Sequence, residues 1–136
     1  MTADIVVVAG AGGFIGGHLV GDLLEQGHTV RAVDVKPVDE WFQAHEESQK
    51  FELDLRLADA CRQAVAGASD VYNLAADMGG MGFIENNRAW CMLSVLINTH
   101  LLATGHRGVN GFFFFFSSAC VYAADKQVDT HNPDLR

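Results

Sequence analysis

Unbroken apolar runs and apolar residues recurring every three or four positions take turns along this chain, and the alternation predicts strands and helices in succession. Ile5-Val6-Val7-Val8-Ala9 has no polar residue at any second position, which suits a strand buried on both faces, as at the centre of a parallel sheet. In residues 14–26, Ile15, Leu19, Val20, Leu23 and Leu24 fall at helical spacing, and Gly27 supplies the stop. Residues 29–34 read as a second strand, 51–53 as a short third, 57–66 as a helix closed by Gly67, and 70–74 as a fourth strand. Residues 88–104 carry Trp90, Leu93, Leu96, Ile97, Leu101 and Leu102, a long helix expected to bury more than one face. The five phenylalanines of residues 112–116 predict a fifth strand covered on both sides, and an aggregation-prone window if exposed. The polar, mixed residues 38–48 predict a loop with a short helix around 40–42 and no identifiable chemistry. This succession predicts an α/β doubly wound parallel sheet, five strands in the order 3-2-1-4-5, with helices on both faces.

Composition narrows the partners. The 136 residues make one domain at most, 49% of them apolar, with no apolar stretch long enough to cross a bilayer. Met1-Thr2-Ala3-Asp4 runs straight into the first strand and leaves no room for a signal peptide, so a cytoplasmic location is expected. A net charge of -8 with nine basic residues offers no cationic patch for nucleic acid. Three widely spaced cysteines, Cys61, Cys91 and Cys120, do not make a disulfide framework. The six histidines lack metal-ligand spacing, and no metal is expected.

Candidate chemistry begins where the first strand meets its turn. Gly10, Gly13 and Gly16 form G-x-x-G-x-x-G; the commoner G-x-G-x-x-G fails because position 15 is Ile15. Such a turn brings backbone close to a pyrophosphate, which the amides around Phe14 and Ile15 at the start of the helix can hold. A glycine-rich turn without a ligand is the alternative, made less attractive by the preceding strand, the following helix and the acidic Asp34 18 positions after Gly16. The motif resembles that of the extended short-chain dehydrogenase/reductases. At the end of the second strand, Asp34 can accept both hydroxyls of an adenosine ribose and repel a 2'-phosphate, which favours NAD over NADP; an ordinary helix or turn cap is the other reading. Asp54, followed by Leu55, stands just past the third strand as a candidate for the adenine amine or, equally, as a helix cap. After the fourth strand, small Ala75 and Ala76 leave room for a dinucleotide, while Gly79 and Gly80 let backbone approach a substrate.

Asn73-Leu74-Ala75-Ala76-Asp77-Met78-Gly79-Gly80-Met81-Gly82-Phe83-Ile84, with Ser117-Ser118-Ala119-Cys120-Val121-Tyr122, resembles the signature of the GDP-mannose 3,5-epimerases, and the resemblance runs over essentially the whole chain. It implies a Rossmann domain binding NAD, oxidation of the hexose at C4, proton exchange at C3 and C5 beside the ketone, and re-reduction. In that scheme Cys120 is an acid/base group, Ser118 hydrogen-bonds the reacting oxygen, Ala119 lies against the sugar and Ser117 is structural. A thiol can exchange protons at carbon if its pKa is tuned, although a free cysteine after a core strand is commonly just buried. The resemblance also implies a homodimer through the long helix. Tyr122 and Lys126 have the Tyr-x-x-x-Lys spacing of the superfamily's hydride-step pair, but the family's tyrosine lies tens of residues further on. Residues 1–136 are therefore expected to be the N-terminal part of a longer enzyme, lacking the Tyr/Lys helix and the substrate domain, inactive alone, and with the fifth strand and the long helix left partly uncovered. The alternatives are another nucleotide-sugar epimerase or dehydratase, or a non-catalytic NAD-binding fragment.

Overall fold

The computed structural model describes residues 4–76, 86, 88–109 and 111–115. They form β1 (Ile5–Ala9), α1 (Phe14–Glu25), β2 (Thr29–Asp34), a short 3-10 turn (Val38–Glu40), β3 (Gln49–Glu52), α2 (Ala58–Val65), β4 (Ala68–Asn73), α3 (Arg88–Gly108) and β5 (Phe113–Phe115). The five strands are parallel in the order β3-β2-β1-β4-β5. Chain order therefore reverses beside β1, the point where ligands enter folds of this class.

β1 is central because it has no face to give to water. Val6 and Val8 pack with Val20 and Leu23 of α1, Val30 and Ala32 of β2, and Trp41. Val7 and Ala9 pack on the opposite face with Cys61, Ala64 and Val65 of α2 and Ile97 and Leu101 of α3. The Cys61 thiol donates to the Leu55 carbonyl at 3.1 Å, and burial pushes its pKa up to about 11, so it is an inert core group.

Arg31 is the polar exception in β2. Its Nη1 donates to the Ala64 and Ala66 carbonyls at 2.7 and 2.9 Å, closing the end of α2, and its guanidinium lies 5.3 Å from the Phe51 ring centre. These bonds offset the desolvation that lowers its pKa.

Several boundaries move from expectation. The short helix is a 3-10 turn two residues earlier, because Pro37 sets its entry and Trp41 is already extended. β3 begins at Gln49 rather than Phe51, since Gln49 pairs with Arg31 in both register and side-chain hydrogen bonding. β4 begins at Ala68, and α3 runs one turn beyond Thr104. The double burial is not met among the described residues, and the expected partial exposure of β5 and the long helix is found instead. Phe112, Phe114 and Phe115 around β5 are exposed, and α3 buries Ser94, Ile97 and Leu101 while Met92, Val95, Leu96 and Leu102 face outward. Among the described residues, α3 packs against α2 and the sheet along one side, and no second layer covers the other.

Candidate functional site

A cleft of about 300 Å³ opens at the carboxyl ends of β1, β2 and β4. Gly10, Gly13, Asp34, Asp54, Leu55, Ala75 and Ala76 all line it, so the structure brings together most of the residues picked out above for a cofactor. That volume lies at the low end of small-molecule sites, which run from roughly 300 Å³ upward.

The floor is made of crossing backbones. Gly10 has φ +82, and a Cβ there would stand 2.8 Å from the Ala75 nitrogen, so a side chain is excluded both by conformation and by space. Gly16 packs directly behind the turn: a Cβ on it would collide with the Gly10 carbonyl and Ala11. The side chains of Phe14 and Ile15 also point away from the cleft. Both are exposed, and the Phe14 ring meets His18 and Phe42 edge-on, each at 4.8 Å between centroids. What this stretch offers a ligand is main chain. Gly13 is the N-cap of α1 and supplies no side-chain cap, leaving the first-turn amides at the positive end of the helix for an anion.

Asp34 closes β2 as a carboxylate only 9% exposed. Its Oδ2 accepts the Gly12 amide at 2.9 Å and its Oδ1 accepts the Lys36 amide at 3.0 Å. It thus has the turn-cap contact of the alternative reading and borders the cleft as well. Each oxygen keeps a lone pair that a sugar hydroxyl can use. Asp54 is not a helix cap, since Leu57 is the N-cap of α2 and takes no side-chain bond. Its carboxylate instead grips Arg56, with Nε to Oδ1 at 2.8 Å and Nη2 to Oδ2 at 2.7 Å, and those bonds hold its pKa below the usual carboxylate value. It stays an acceptor on the cleft wall.

The loop after β4 is anchored by a group that the sequence pattern did not single out. Asn73, buried at the end of β4, accepts the Ala75 amide at 3.1 Å on Oδ1 and donates through Nδ2 to Oδ1 of Asn98 in α3. An asparagine ending an apolar strand was the available signal. Trp41, Gly12 and Lys36 carry no signal in the sequence, because their roles depend on residues 35–48, which have no periodicity to read; Arg56 carries none either, its role being set by its pairing with Asp54. Gly79, Gly80, Ser118, Ala119 and Cys120 lie outside the described residues, as do Tyr122 and Lys126. Among the described residues no group of three or more His, Cys, Asp or Glu could hold a metal, and no helix is long and apolar enough to cross a membrane.

Residues 6–135 match the NAD dependent epimerase/dehydratase family. The chain is 37% identical over 134 residues to the GDP-mannose 3,5-epimerase of Arabidopsis thaliana, covering 96% of this chain and 35% of that protein. It is 40% identical over 130 residues to GDP-mannose 3,5-epimerase 1 of Oryza sativa subsp. japonica, covering 93% and 34%. The chain therefore spans about a third of the length of these relatives. Among solved structures, MoeE5 in complex with UDP-glucose and NAD superposes with a TM-score of 0.72 at 27% identity, over 87% of this chain and 38% of that one.

Proposed function

Because this chain belongs to the NAD dependent epimerase/dehydratase family, we propose that it is the NAD-binding part of a cytoplasmic nucleotide-sugar epimerase acting on GDP-mannose at C3 and C5 through a 4-keto sugar. The observation that carries this reading is the 37–40% identity to curated GDP-mannose 3,5-epimerases over nearly the whole chain, against 27% for a UDP-sugar-binding neighbour of the same fold. The cleft fits the cofactor: Gly10 leaves a cradle that a Cβ would fill, and a nearly buried carboxylate stands at the end of β2.

In this reading the amides that follow Gly13 take the pyrophosphate, and the small Ala75 and Ala76 let the dinucleotide lie across the switch point. Asp34 accepts the adenosine ribose hydroxyls, while Asp54 and Leu55 lie at the adenine end. NAD bound there would supply the hydride acceptor, and then the donor, for oxidation and re-reduction at the sugar C4. Gly79, Gly80 and Ala119 border the sugar, Ser118 bonds the oxygen at C4, and Cys120 moves a proton at carbon, which a thiol of tuned pKa can do.

The hydride step needs a base, and Tyr122 with Lys126 is not assigned that role, so the 136 residues alone bind cofactor without turnover. The outward Met92, Val95, Leu96 and Leu102 of α3 are the surface through which two copies pair. The test joins residues 1–136 to the remaining two thirds of the rice relative and follows deuterium wash-in at C3 and C5 of GDP-mannose. Wash-in that Cys120→Ala abolishes, with NAD affinity kept, is the expected result. Wash-in unaffected by Cys120→Ala returns that cysteine to a structural role, and turnover of a UDP-sugar in place of GDP-mannose moves the substrate to the class seen with MoeE5.

A further inference from the structure

Residues 38–48 read from the sequence as a loop with a short helix and no identifiable chemistry, yet the segment is tied down along its length. At one end the Val38 amide donates to Glu52 Oε1 at 2.9 Å. Further along, His45 Nε2 lies 3.0 Å from the Gly17 carbonyl. Glycines of α1 make room for this: a Cβ on Gly17 would stand 3.2 Å from the Gln43 side chain, and one on Gly21 would stand 2.9 Å from the His45 ring. The strap is thus seated in a furrow of α1 that side chains would close. At its middle is Trp41, only 8% exposed.

We propose that Trp41 is a positioning residue for Asp34, and that through Asp34 it sets the discrimination of this site between NAD and NADP. The proposal rests on the NAD reading above. The two amides that hold the Asp34 carboxylate are those of Gly12 and Lys36, and Trp41 bears on both. Its indole N–H donates to the Lys36 carbonyl at 2.9 Å, fixing the turn that carries the Lys36 amide. Its Cδ1 lies 2.7 Å from the point where a Cβ on Gly12 would stand, and the same point is 3.0 Å from the Asp34 carboxylate, so ring, glycine and carboxylate converge. The adjacent Phe42 amide then donates to the Gly12 carbonyl at 3.1 Å, holding the same residue through the peptide that follows it.

A carboxylate clamped by one amide on each oxygen presents its remaining lone pairs in one direction. Held toward the ribose, they reward two hydroxyls and oppose a 2'-phosphate. Released, the side chain can rotate away, losing its bonds to the ribose of NAD and relieving its repulsion of NADP. Lys36 lines the same cleft and would then meet the phosphate with a cation. Loosening Trp41 should therefore change the two affinities in opposite directions and narrow the gap between them, which a general loss of packing would not do.

The experiment is calorimetric titration of NAD and NADP into the 136-residue chain, its Trp41→Phe variant and its Trp41→Ala variant, with circular dichroism melts alongside. The ratio of the NADP to the NAD dissociation constant should fall about tenfold in Trp41→Ala, the loss expected when a charge-assisted hydrogen bond is no longer held in place. It should fall partway in Trp41→Phe, which keeps a ring but loses the N–H. Should the alanine variant fail to fold, the phenylalanine variant decides. An unchanged ratio, with both cofactors weakened alike or neither weakened, overturns the assignment of Trp41 and leaves the NAD reading standing. A parent chain that binds NADP as tightly as NAD overturns that reading and the proposal together.

Discussion

The β2–β3 end of the sheet and the β4–β5 end extend one parallel sheet in opposite directions and differ in how far they are finished. At the first end, Arg31 and Asp34 are buried and hydrogen-bonded, and Trp41 roofs the turn. At the second, Phe112 and Phe114 cluster with Tyr72, at 5.5 and 5.8 Å between ring centres, and both phenylalanines stay exposed. The outer side of α3 is apolar and open as well. The β2–β3 side of the cleft thus stands on its own packing, whereas the side toward β5 leaves apolar surface for something else to cover.

Gly16→Val is the hardest blow to the finished half. Its branched side chain would press into the Gly10 carbonyl, and a cost of about 3 kcal/mol or more is expected from overpacking against backbone. Urea unfolding measures it, and a loss under 1 kcal/mol would show that this end is less tightly built than described. Asp34→Ala comes next: NAD should weaken about tenfold while NADP changes little, the removal of charge-assisted bonds being worth roughly 1.5–3 kcal/mol. Titration showing equal losses for both cofactors would separate Asp34 from their discrimination. The smallest change in stability belongs to the open half. Leu96→Gln with Leu102→Glu should alter it by no more than about 0.5 kcal/mol, yet shift the chain toward monomer in light scattering. Unaltered association would place the contact elsewhere, with the phenylalanines of β5 the next surface to test.

Much of the finished half was legible in the sequence, because its signals are local. The apolar run of β1, the glycines that follow and the acid ending β2 each announce a backbone state or a position from a few neighbouring letters. β3 was misplaced by two residues because Gln49 and Lys50 are polar, and only their pairing with Arg31 and Ala32 makes them strand. Trp41 was invisible for a related reason. Its partners Gly12 and Lys36 are joined to it by the fold, and nothing in residues 38–48 repeats. Asn73 was passed over as one letter of a strand, although a buried amide needs partners and here finds them 2 and 25 residues away. In the open half, the apolar letters of α3 were read correctly, but whether they turn inward or outward is decided by neighbours that a single chain does not specify.

Where Gly10 meets Leu74 and Ala75, the middle of the cleft is main chain lying against main chain. Replacing one side chain by another there has almost nothing to act on, since any addition at Gly10 breaks the contact and none can adjust it. Adaptation to a new ligand must then come from the ends of the cleft: from Asp34, Lys36, Asp54 and Arg56 at one rim, and from Ala76 and Ile97 at the other. A library of variants selected for altered cofactor or sugar use should accordingly accumulate its successful changes at the two rims and return the centre unchanged.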